Sequence, residues 1–212
     1  MNNSNLATPE LAVIDVKGVT RSSFIMRSAL AAGSVYGLGA VGPFVKQAMA
    51  QEDGGDVDIL NFALTLEYLE TAFYTEALKK AKGLESATSE LAKELRDNEA
   101  EHVAALTATI EKLGGKPVKA PGVDFGNAFA SEKSFLKLAQ TLEDTGVSAY
   151  NGAAPSIKST EVLAAAGSIV QVEARHAAAI RLLRGETPAP DAFDKTLEMD
   201  EVLEAVKPFV KS

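Results

Sequence analysis

The chain has 212 residues, 46% of them hydrophobic, a net charge of −8, and neither cysteine nor tryptophan. This length suits a single core, or one domain joined to a removable segment. Without cysteine, the chain cannot form disulfides, zinc–thiolate sites, iron–sulfur clusters or a thiol nucleophile. The acidic balance argues against nucleic acid as a partner. Oxygen and imidazole ligands remain, and these suit iron, manganese or zinc.

The first fifty residues differ in charge from the rest of the chain. They hold four basic and two acidic residues, a balance of +2, so the remainder carries −10. Arg21 and Arg27 precede a weakly apolar run without acids over residues 28–45. Ala-Met-Ala follows at residues 48–50, the small-x-small pattern of a signal-peptidase site. We expect residues 1–50 to be an export signal, cleaved after Ala50, for the periplasm, the cell envelope or the outside.

Residues 20–25 bear on the export route. The stretch TRSSFI at residues 20–25 resembles a twin-arginine signal, and Lys46 is a base of the kind often found near such cleavage sites. Ser22 stands where that pattern has its second arginine, so the route stays open. The alternative is an uncleaved membrane anchor. Cleavage is favoured because the glycine-rich run is marginal for spanning a bilayer and Lys46 closes it.

Four long helices and one short helix are predicted after Gly55. Polar capping residues or glycine and proline mark where they start and stop. The connection at residues 114–131 is rich in glycine and proline and lacks a helical period, which predicts a long crossover. Two short links and one crossover indicate an all-α fold, an antiparallel four-helix bundle over residues 51–185 with a C-terminal extension over 186–212. The predicted helices span about 56–82, 86–113, 132–154, 160–184 and 199–206.

Each long helix carries an apolar seam with steps of three and four residues, which is typical of the inward face of a bundle. On the fourth helix the only polar residues of this seam are Glu173 and His176. The other three seams also place a glutamate inside. The predicted seams are Leu60, Leu64, Glu67, Thr71, Tyr74 and Leu78; Leu91, Leu95, Glu99, His102, Leu106 and Leu113; Leu136, Ala139, Glu143, Gly146 and Tyr150; and Val162, Ala166, Ile169, Glu173, His176, Ile180 and Leu183.

The only two histidines, His102 and His176, each follow a glutamate by three residues, in the motifs EAEH and EARH. On a helix this step places both side chains on the same side. The sequence around the motifs repeats: TLE occurs twice, with a tyrosine seven residues after each glutamate and Glu-x-x-His 32 or 30 residues after it. The pattern predicts a duplicated helical hairpin, in which Glu67 matches Glu143 and Tyr74 matches Tyr150.

Four carboxylates and two imidazoles on buried seams need compensation, because an isolated buried carboxylate costs many kcal/mol or takes up a proton. No Lys or Arg shares the seam of Glu67 or Glu143, which disfavours salt bridges there. A hydrogen-bonded core histidine is the ordinary alternative for each imidazole, but the repeat and the partners favour ligation. Two divalent cations would neutralise four carboxylates. The sequence therefore predicts two metal ions, with one histidine each and glutamates between them.

These motifs resemble those of the ferritin-like di-metal carboxylate proteins, and more narrowly the exported ferritin-like proteins sometimes called desiccation-related. That family uses one Glu from each of two helices and Glu-x-x-His from each of the other two. The resemblance covers about residues 56–184 and implies a ferritin-like bundle with two Fe or two Mn ions. It implies that Glu99 and Glu173 bridge the ions. The implied ligands are Glu67, Glu99, His102, Glu143, Glu173 and His176.

The chain departs from several branches of that family. Rubrerythrins add a cysteine-ligated iron module, and this chain has no cysteine. Bacterioferritins place a methionine beside the second-helix ligand to hold haem, and Ala100 stands at that position here. Since all four methionines lie outside the predicted bundle, we expect no haem. The exported relatives are not generally cage builders, so we do not expect a storage cage.

Three further residues lie near the predicted ligands. Tyr74 and Tyr150 are predicted to pack against the ligands or to donate hydrogen bonds to them from behind. Glu70, one turn beyond Glu67, is either an extra ligand or a residue of the surface or of the support behind the ligands. The second half of the repeat has Gly146 at the matching position, which favours the surface or the supporting role.

The favoured function is stress protection by a dinuclear centre that reacts with oxygen or peroxide. Iron gives ferroxidase-like or peroxidase-like chemistry and manganese gives catalase-like chemistry; the ligand types accept both. The alternative is a non-catalytic, exported stress protein whose metal cluster stabilises the bundle. An interaction domain that has lost its activity is disfavoured because all six ligands are present. The expected partners are metal ions or a small oxidant rather than nucleic acid, and the sequence also allows a homo-oligomer.

Overall fold

The computed structural model describes residues 55–211, and the predicted export signal lies outside this range. The described chain contains five α-helices, each bounded within two residues of its predicted ends. No helix of this part is both long enough and apolar enough to cross a membrane. The five helices confirm the predicted all-helical bundle. The helices are α1 Gly55–Lys80, α2 Ser86–Lys112, α3 Glu132–Ala153, α4 Thr160–Leu183 and α5 Met199–Val206.

The helices end where local backbone chemistry stops them. Gly83, Gly114 and Gly185 follow α1, α2 and α4 with φ angles of 74°, 78° and 72°. This left-handed conformation closes a helix and is favourable only for glycine. At the start of α3, the hydroxyl of Ser131 accepts a hydrogen bond from the N–H of Ser134, and the Ser134 side chain accepts one from the N–H of Ser131. This reciprocal cap fixes where the crossover ends and α3 begins.

The four long helices form two hairpins that lie side by side. α1 packs on α2 and α3 packs on α4, while α1 also contacts α3 and α2 contacts α4. The hydroxyl of Tyr150 on α3 donates to Glu67 on α1 at 2.5 Å, and Tyr74 on α1 donates to Glu143 on α3. Tyr74, which follows Glu67 on α1, therefore contacts Glu143, which precedes Tyr150 on α3. These two helices run antiparallel.

Two apolar clusters fill the bundle, and the six predicted ligands form a polar layer between them. One cluster surrounds Phe73, whose ring is parallel to that of Phe135 with the centroids 5.3 Å apart. The other includes Leu64 on α1 and Ile110 on α2. Along α1, Glu67 lies between Leu64 and Phe73, and the ligand-bearing positions of the other helices lie between the clusters in the same way. Apolar burial on both sides, at about 25 cal/mol per Å², fixes the helices around this layer.

The crossover and the C-terminal residues cover the cluster around Phe73. Phe125 and Phe129 of the crossover are buried within it. α5 packs on α3, and its buried face joins the same cluster. The chain after α5 pairs with the crossover, where Val123 and Val210 form an antiparallel bridge. The C-terminal extension therefore contributes to the core that supports the polar layer.

The predicted seams are buried or partly buried along most of their length. Leu113 and Leu183 are exceptions, with 44% and 36% of their surface exposed, and the prediction is wrong for both. Leu113 follows the last residue of α2, and Leu183 is the last residue of α4. The seams fail at these two positions because no neighbouring helix covers them at the ends of the bundle.

Gly152, in the last turn of α3, gives a test of this packing. A Cβ atom at Gly152 would lie 2.0 Å from the backbone oxygen of Leu197, whereas one at Gly167 in α4 would have no atom within 4 Å. We expect Gly152→Ala to lower the free energy of unfolding by about 1–3 kcal/mol, because the segment before α5 must move. Gly167→Ala is the matched control and should be neutral or stabilising by up to about 1 kcal/mol. Equal unfolding midpoints for the two variants in chemical denaturation would contradict this packing.

Candidate metal centre

The structure brings all six predicted ligands together in the polar layer. Their ligand atoms form two groups of four residues, and within each group these atoms lie within 4.8 Å of one another. Glu99 and Glu173 belong to both groups, as expected of residues that bridge two ions. The first group is Glu67, Glu99, His102 and Glu173, and the second is Glu99, Glu143, Glu173 and His176.

The Glu-x-x-His motifs meet across α2 and α4. Nδ1 of His102 lies 3.0 Å from Oε1 of Glu173, and Nδ1 of His176 lies 2.9 Å from Oε1 of Glu99. Each histidine thus contacts the glutamate of the other motif, which requires α2 and α4 to run antiparallel. The two imidazole rings lie 6.2 Å apart between centroids. The sequence repeat therefore corresponds to a reciprocal arrangement of side chains in space.

The contacts of His102 fit a metal ligand better than a hydrogen-bonded core histidine. Its Nδ1 lies 3.2 Å from Glu67, 2.9 Å from Glu99 and 3.0 Å from Glu173. A ring nitrogen donates at most one proton, in the plane of the ring, and cannot satisfy three carboxylates at once. Three oxygens and one nitrogen that converge in this way are a donor set that suits Fe²⁺, Mn²⁺ or Zn²⁺.

The second group contains buried polar atoms without hydrogen-bond partners. Among the described residues, no hydrogen bond satisfies Oε2 of Glu143, either carboxylate oxygen of Glu173, or Nδ1 of His176. Glu99 contributes a further such atom, Oε1. Buried polar groups are rarely left without partners, because desolvation then costs about 1–3 kcal/mol each and more for charged groups. These atoms belong to residues whose ligand atoms cluster within 4.8 Å of one another, so the residues fit bound cations.

Neither solvent nor a Lys or Arg side chain neutralises the carboxylates. Glu67, Glu99, Glu143 and Glu173 are all 0% exposed. Among the described residues, their ion pairs are with the two histidines, and no Lys or Arg forms one with them. Two divalent cations would bring four positive charges to these four carboxylates, which removes most of the cost of burying them.

The sequence of the bundle matches a known family. The family model for the ferritin-like domain matches residues 55–186 of the sequence, and these residues include all four long helices. This chain belongs to the ferritin-like domain family. No curated protein gives a significant match. The family predicted from the sequence is confirmed, while the narrower resemblance to exported, desiccation-related members stays a prediction.

Without metal, the charges of this ferritin-like domain are strongly coupled. Burial, followed by repulsion from Glu173, raises the pKa of Glu67 well above its usual value, and burial also raises the pKa of Glu143 well above it. Burial alone would raise the pKa of Glu173 too, but contacts with both histidines outweigh it and lower the pKa to about 2. Burial disfavours charged imidazoles, yet the surrounding glutamates raise the pKa of His102 and of His176 to about 12. Metal ions would therefore displace protons from this layer.

Two tyrosines support the glutamates of the opposite hairpin. Tyr74 of α1 donates to Oε1 of Glu143, and Tyr150 of α3 donates to Oε1 of Glu67. Burial and the nearby carboxylates raise the pKa of each phenol well above 10, so both remain protonated donors at neutral pH. The structure thus places both tyrosines behind the predicted ligands, and the second oxygen of each glutamate faces a histidine ring instead.

In this ferritin-like domain Asn98 contacts His176, and the seam pattern did not predict this contact. The side-chain amide of Asn98 lies 3.1 Å from Nε2 of His176. Asn98 lies four residues before His102 on α2, and this spacing on one helix face was the available signal. The repeat gave no help, because the matching position in the second half is Val172.

Glu70 is not a surface residue of the ferritin-like domain. Only 3% of its surface is exposed, and its carboxylate lies in the same layer as the predicted ligands. The surface alternative for Glu70 is therefore wrong, while a supporting role behind the ligands and a role as an extra ligand stay predictions. Burial comes from Gly146 on the facing helix α3, since the missing side chain there leaves room for the carboxylate.

Proposed function

We propose that the domain binds two divalent iron or manganese ions between α1, α2, α3 and α4, and that the resulting centre reacts with oxygen or peroxide. The observation that carries this proposal is the pair of overlapping four-residue groups that share Glu99 and Glu173. In this scheme Glu67 and His102 hold one ion, and Glu143 and His176 hold the other. When bound, two redox-active ions supply electrons to the oxidant.

The chain's own residues would orient the ligands and manage their protons. The hydroxyls of Tyr74 and Tyr150 fix one oxygen each of Glu143 and Glu67. With Nδ1 of His176 as a ligand, Nε2 would carry the proton, and the Asn98 side chain, whose Nδ2 now lies 3.1 Å from Nε2, would have to rotate so that its Oδ1 accepts it. The apolar clusters on both sides of the layer limit the access of water to the centre.

We also propose that the domain acts outside the cytoplasm in protection against oxidants. The sequence of residues 1–50, with its basic residues, weakly apolar run and small-x-small end, supports export. A non-catalytic metal-binding protein is the second candidate. The complete burial of the four glutamates favours it, because bound ions would stabilise the bundle whether or not an oxidant reaches them.

Metal stoichiometry in amide variants tests the two-ion site. We expect about two ions per wild-type chain in elemental analysis after loading with Mn²⁺ or anaerobic Fe²⁺. Glu67→Gln and Glu143→Gln should each retain about one ion, because each residue belongs to one group. Glu99→Gln should weaken both sites, because Glu99 belongs to both. Glu101→Gln, an exposed residue within the same motif, is the matched control and should retain two.

Oxidant consumption by the same proteins separates the two candidate functions. If the domain is an enzyme, the metal-loaded wild type and the loaded Glu101→Gln variant should both consume oxygen or peroxide. The rate of consumption by Glu99→Gln should be lower by about 100-fold or more, since even residues behind metal ligands contribute about 10–100-fold to activity. Two bound ions without any consumption would establish the non-catalytic candidate. Less than one ion per wild-type chain would exclude the dinuclear site altogether.

A further inference from the structure

Glu70 breaks the symmetry of the polar layer. It lies on α1, one turn beyond Glu67, and is 3% exposed. The repeat has Gly146 at the matching position of α3, so only the first hairpin contributes this carboxylate. The four glutamates and two histidines of the proposed site are otherwise supplied equally by the two hairpins. Glu70 is thus an acidic residue without a counterpart.

The missing side chain of Gly146 makes room for Glu70. A Cβ atom built at Gly146 would lie 3.2 Å from Oε1 of Glu70 and 3.7 Å from Oε2 of Glu173. The carboxylate of Glu70 therefore reaches across from α1 to α3, and its Oε1 lies in the neighbourhood of Glu173. Any larger residue at position 146 would push against that oxygen.

The two oxygens of Glu173 show which half of the site Glu70 approaches. Oε1 of Glu173 lies 3.0 Å from Nδ1 of His102, whereas Oε2 lies 3.7 Å from Nδ1 of His176. Gly146, and with it Glu70, lies near Oε2. Among the described residues, Oε2 of Glu173 has no hydrogen-bond partner, and neither does Nδ1 of His176. Glu70 therefore lies on the side of Glu173 and Glu143, next to but outside the group of ligand atoms that contains Glu143 and His176.

We propose that Glu70 is a further oxygen donor to the metal ion held by Glu143 and His176, so that the two metal positions are inequivalent. This inference rests on the two-ion site proposed above and adds a fifth carboxylate to it. A divalent ion with a hard, oxygen-rich ligand set binds more tightly when another carboxylate joins that set. The position next to Glu70 is therefore the tighter of the two, and it fills first.

Calorimetric titration of the metal-free protein with MnCl₂ tests this inequivalence. We expect two distinguishable binding steps in the wild type, and in Glu70→Gln the tighter step should weaken by about tenfold or more. Gly146→Ala provides a second variant that keeps the carboxylate but displaces it, and it should weaken the same step. Glu76→Gln is the matched control on α1, because Glu76 pairs with Lys80 at the surface and should leave both steps unchanged.

Combined variants locate the affected position. With Glu67→Gln, the remaining ion is held by Glu143 and His176, and adding Glu70→Gln should weaken its binding by about tenfold or more. With Glu143→Gln, the remaining ion is held by Glu67 and His102, and adding Glu70→Gln should change its affinity by less than about threefold. Electron paramagnetic resonance of the bound Mn²⁺ should differ correspondingly, changing with Glu70→Gln only in the first background.

The outcomes distinguish this inference from the proposal on which it rests. Equal weakening in both backgrounds would show that Glu70 acts only through its charge, and this would overturn its role as a ligand. Unchanged binding in both backgrounds would also overturn it, while leaving the two-ion site intact. A wild-type chain that binds fewer than two Mn²⁺ would overturn both the two-ion site and the role of Glu70.

Discussion

Loading the metal-free protein with Mn²⁺ should raise its unfolding midpoint by about 10–20 °C. Each ion that binds only the folded chain adds about 2.7 kcal/mol when its free concentration is 100 times its Kd, so two ions add about 5 kcal/mol. For domains of this size, 1 kcal/mol corresponds to a shift of about 2–4 °C. The ligands come from four different helices, so the unfolded chain does not hold them together and has no comparable site.

Differential scanning calorimetry with and without metal measures this shift. A chelator should reverse it, and Glu101→Gln should show the same shift as the wild type. Glu99→Gln should show a much smaller shift, because it loses a ligand shared by both groups. A wild-type midpoint that does not respond to Mn²⁺ or Fe²⁺ would contradict the metal site.

The bundle and the six clustered residues were predictable because their signals are local and periodic. Glycine after α1, α2 and α4 fixes the helix ends through backbone conformation. The spacing of the seam places Glu173 and His176 on the apolar face of α4. Burial of the apolar faces in a four-helix bundle then packs the four seams against one another. The repeat adds pairing information, since it predicts that the two hairpins contribute equivalent residues. The reciprocal contacts of His102 and His176 follow from that equivalence.

The remaining features depend on contacts between distant parts of the chain. Glu70 has room inside the bundle because Gly146, 76 residues away on another helix, has no side chain. The seam pattern of α1 does not indicate that Glu70 is buried. Asn98 meets His176 only through the packing of α2 on α4. Leu113 is exposed because the bundle ends before the seam pattern does. Each case breaks either the period or the repeat, which are the two signals that the sequence offers.

Raising the pH should destabilise the metal-free protein, and this is the second large effect that we expect. The pKa of His102 and of His176 rises to about 12 in the folded chain, against about 6.5 when unfolded. Their contribution to stability is thus complete below about pH 6.5 and declines as the pH rises toward 12. The pKa of Glu67 and of Glu143 is also raised, so these groups change stability in the same direction above about pH 4.5.

Glu173 does not reverse this trend. Its pKa is lowered to about 2, so the stability it adds is complete above the unfolded value of about 4.5 and constant at higher pH. Between pH 6.5 and 9 the folded metal-free chain therefore holds more protons than the unfolded chain. Each such proton costs up to about 1.4 kcal/mol of stability per pH unit. His102→Gln should reduce this slope, because one of the contributing imidazoles is removed.

Metal loading should abolish this pH dependence or reverse it, because bound ions replace the protons of the polar layer. Metal affinity increases with pH as the competing protons leave, so the gap between loaded and metal-free midpoints should widen from pH 6.5 to 9. Calorimetric scans across this range, in buffers of equal ionic strength, measure both curves. A metal-free midpoint that rises with pH would mean that His102 and His176 are neutral among these glutamates, and the protonated polar layer inferred from their contacts would be wrong.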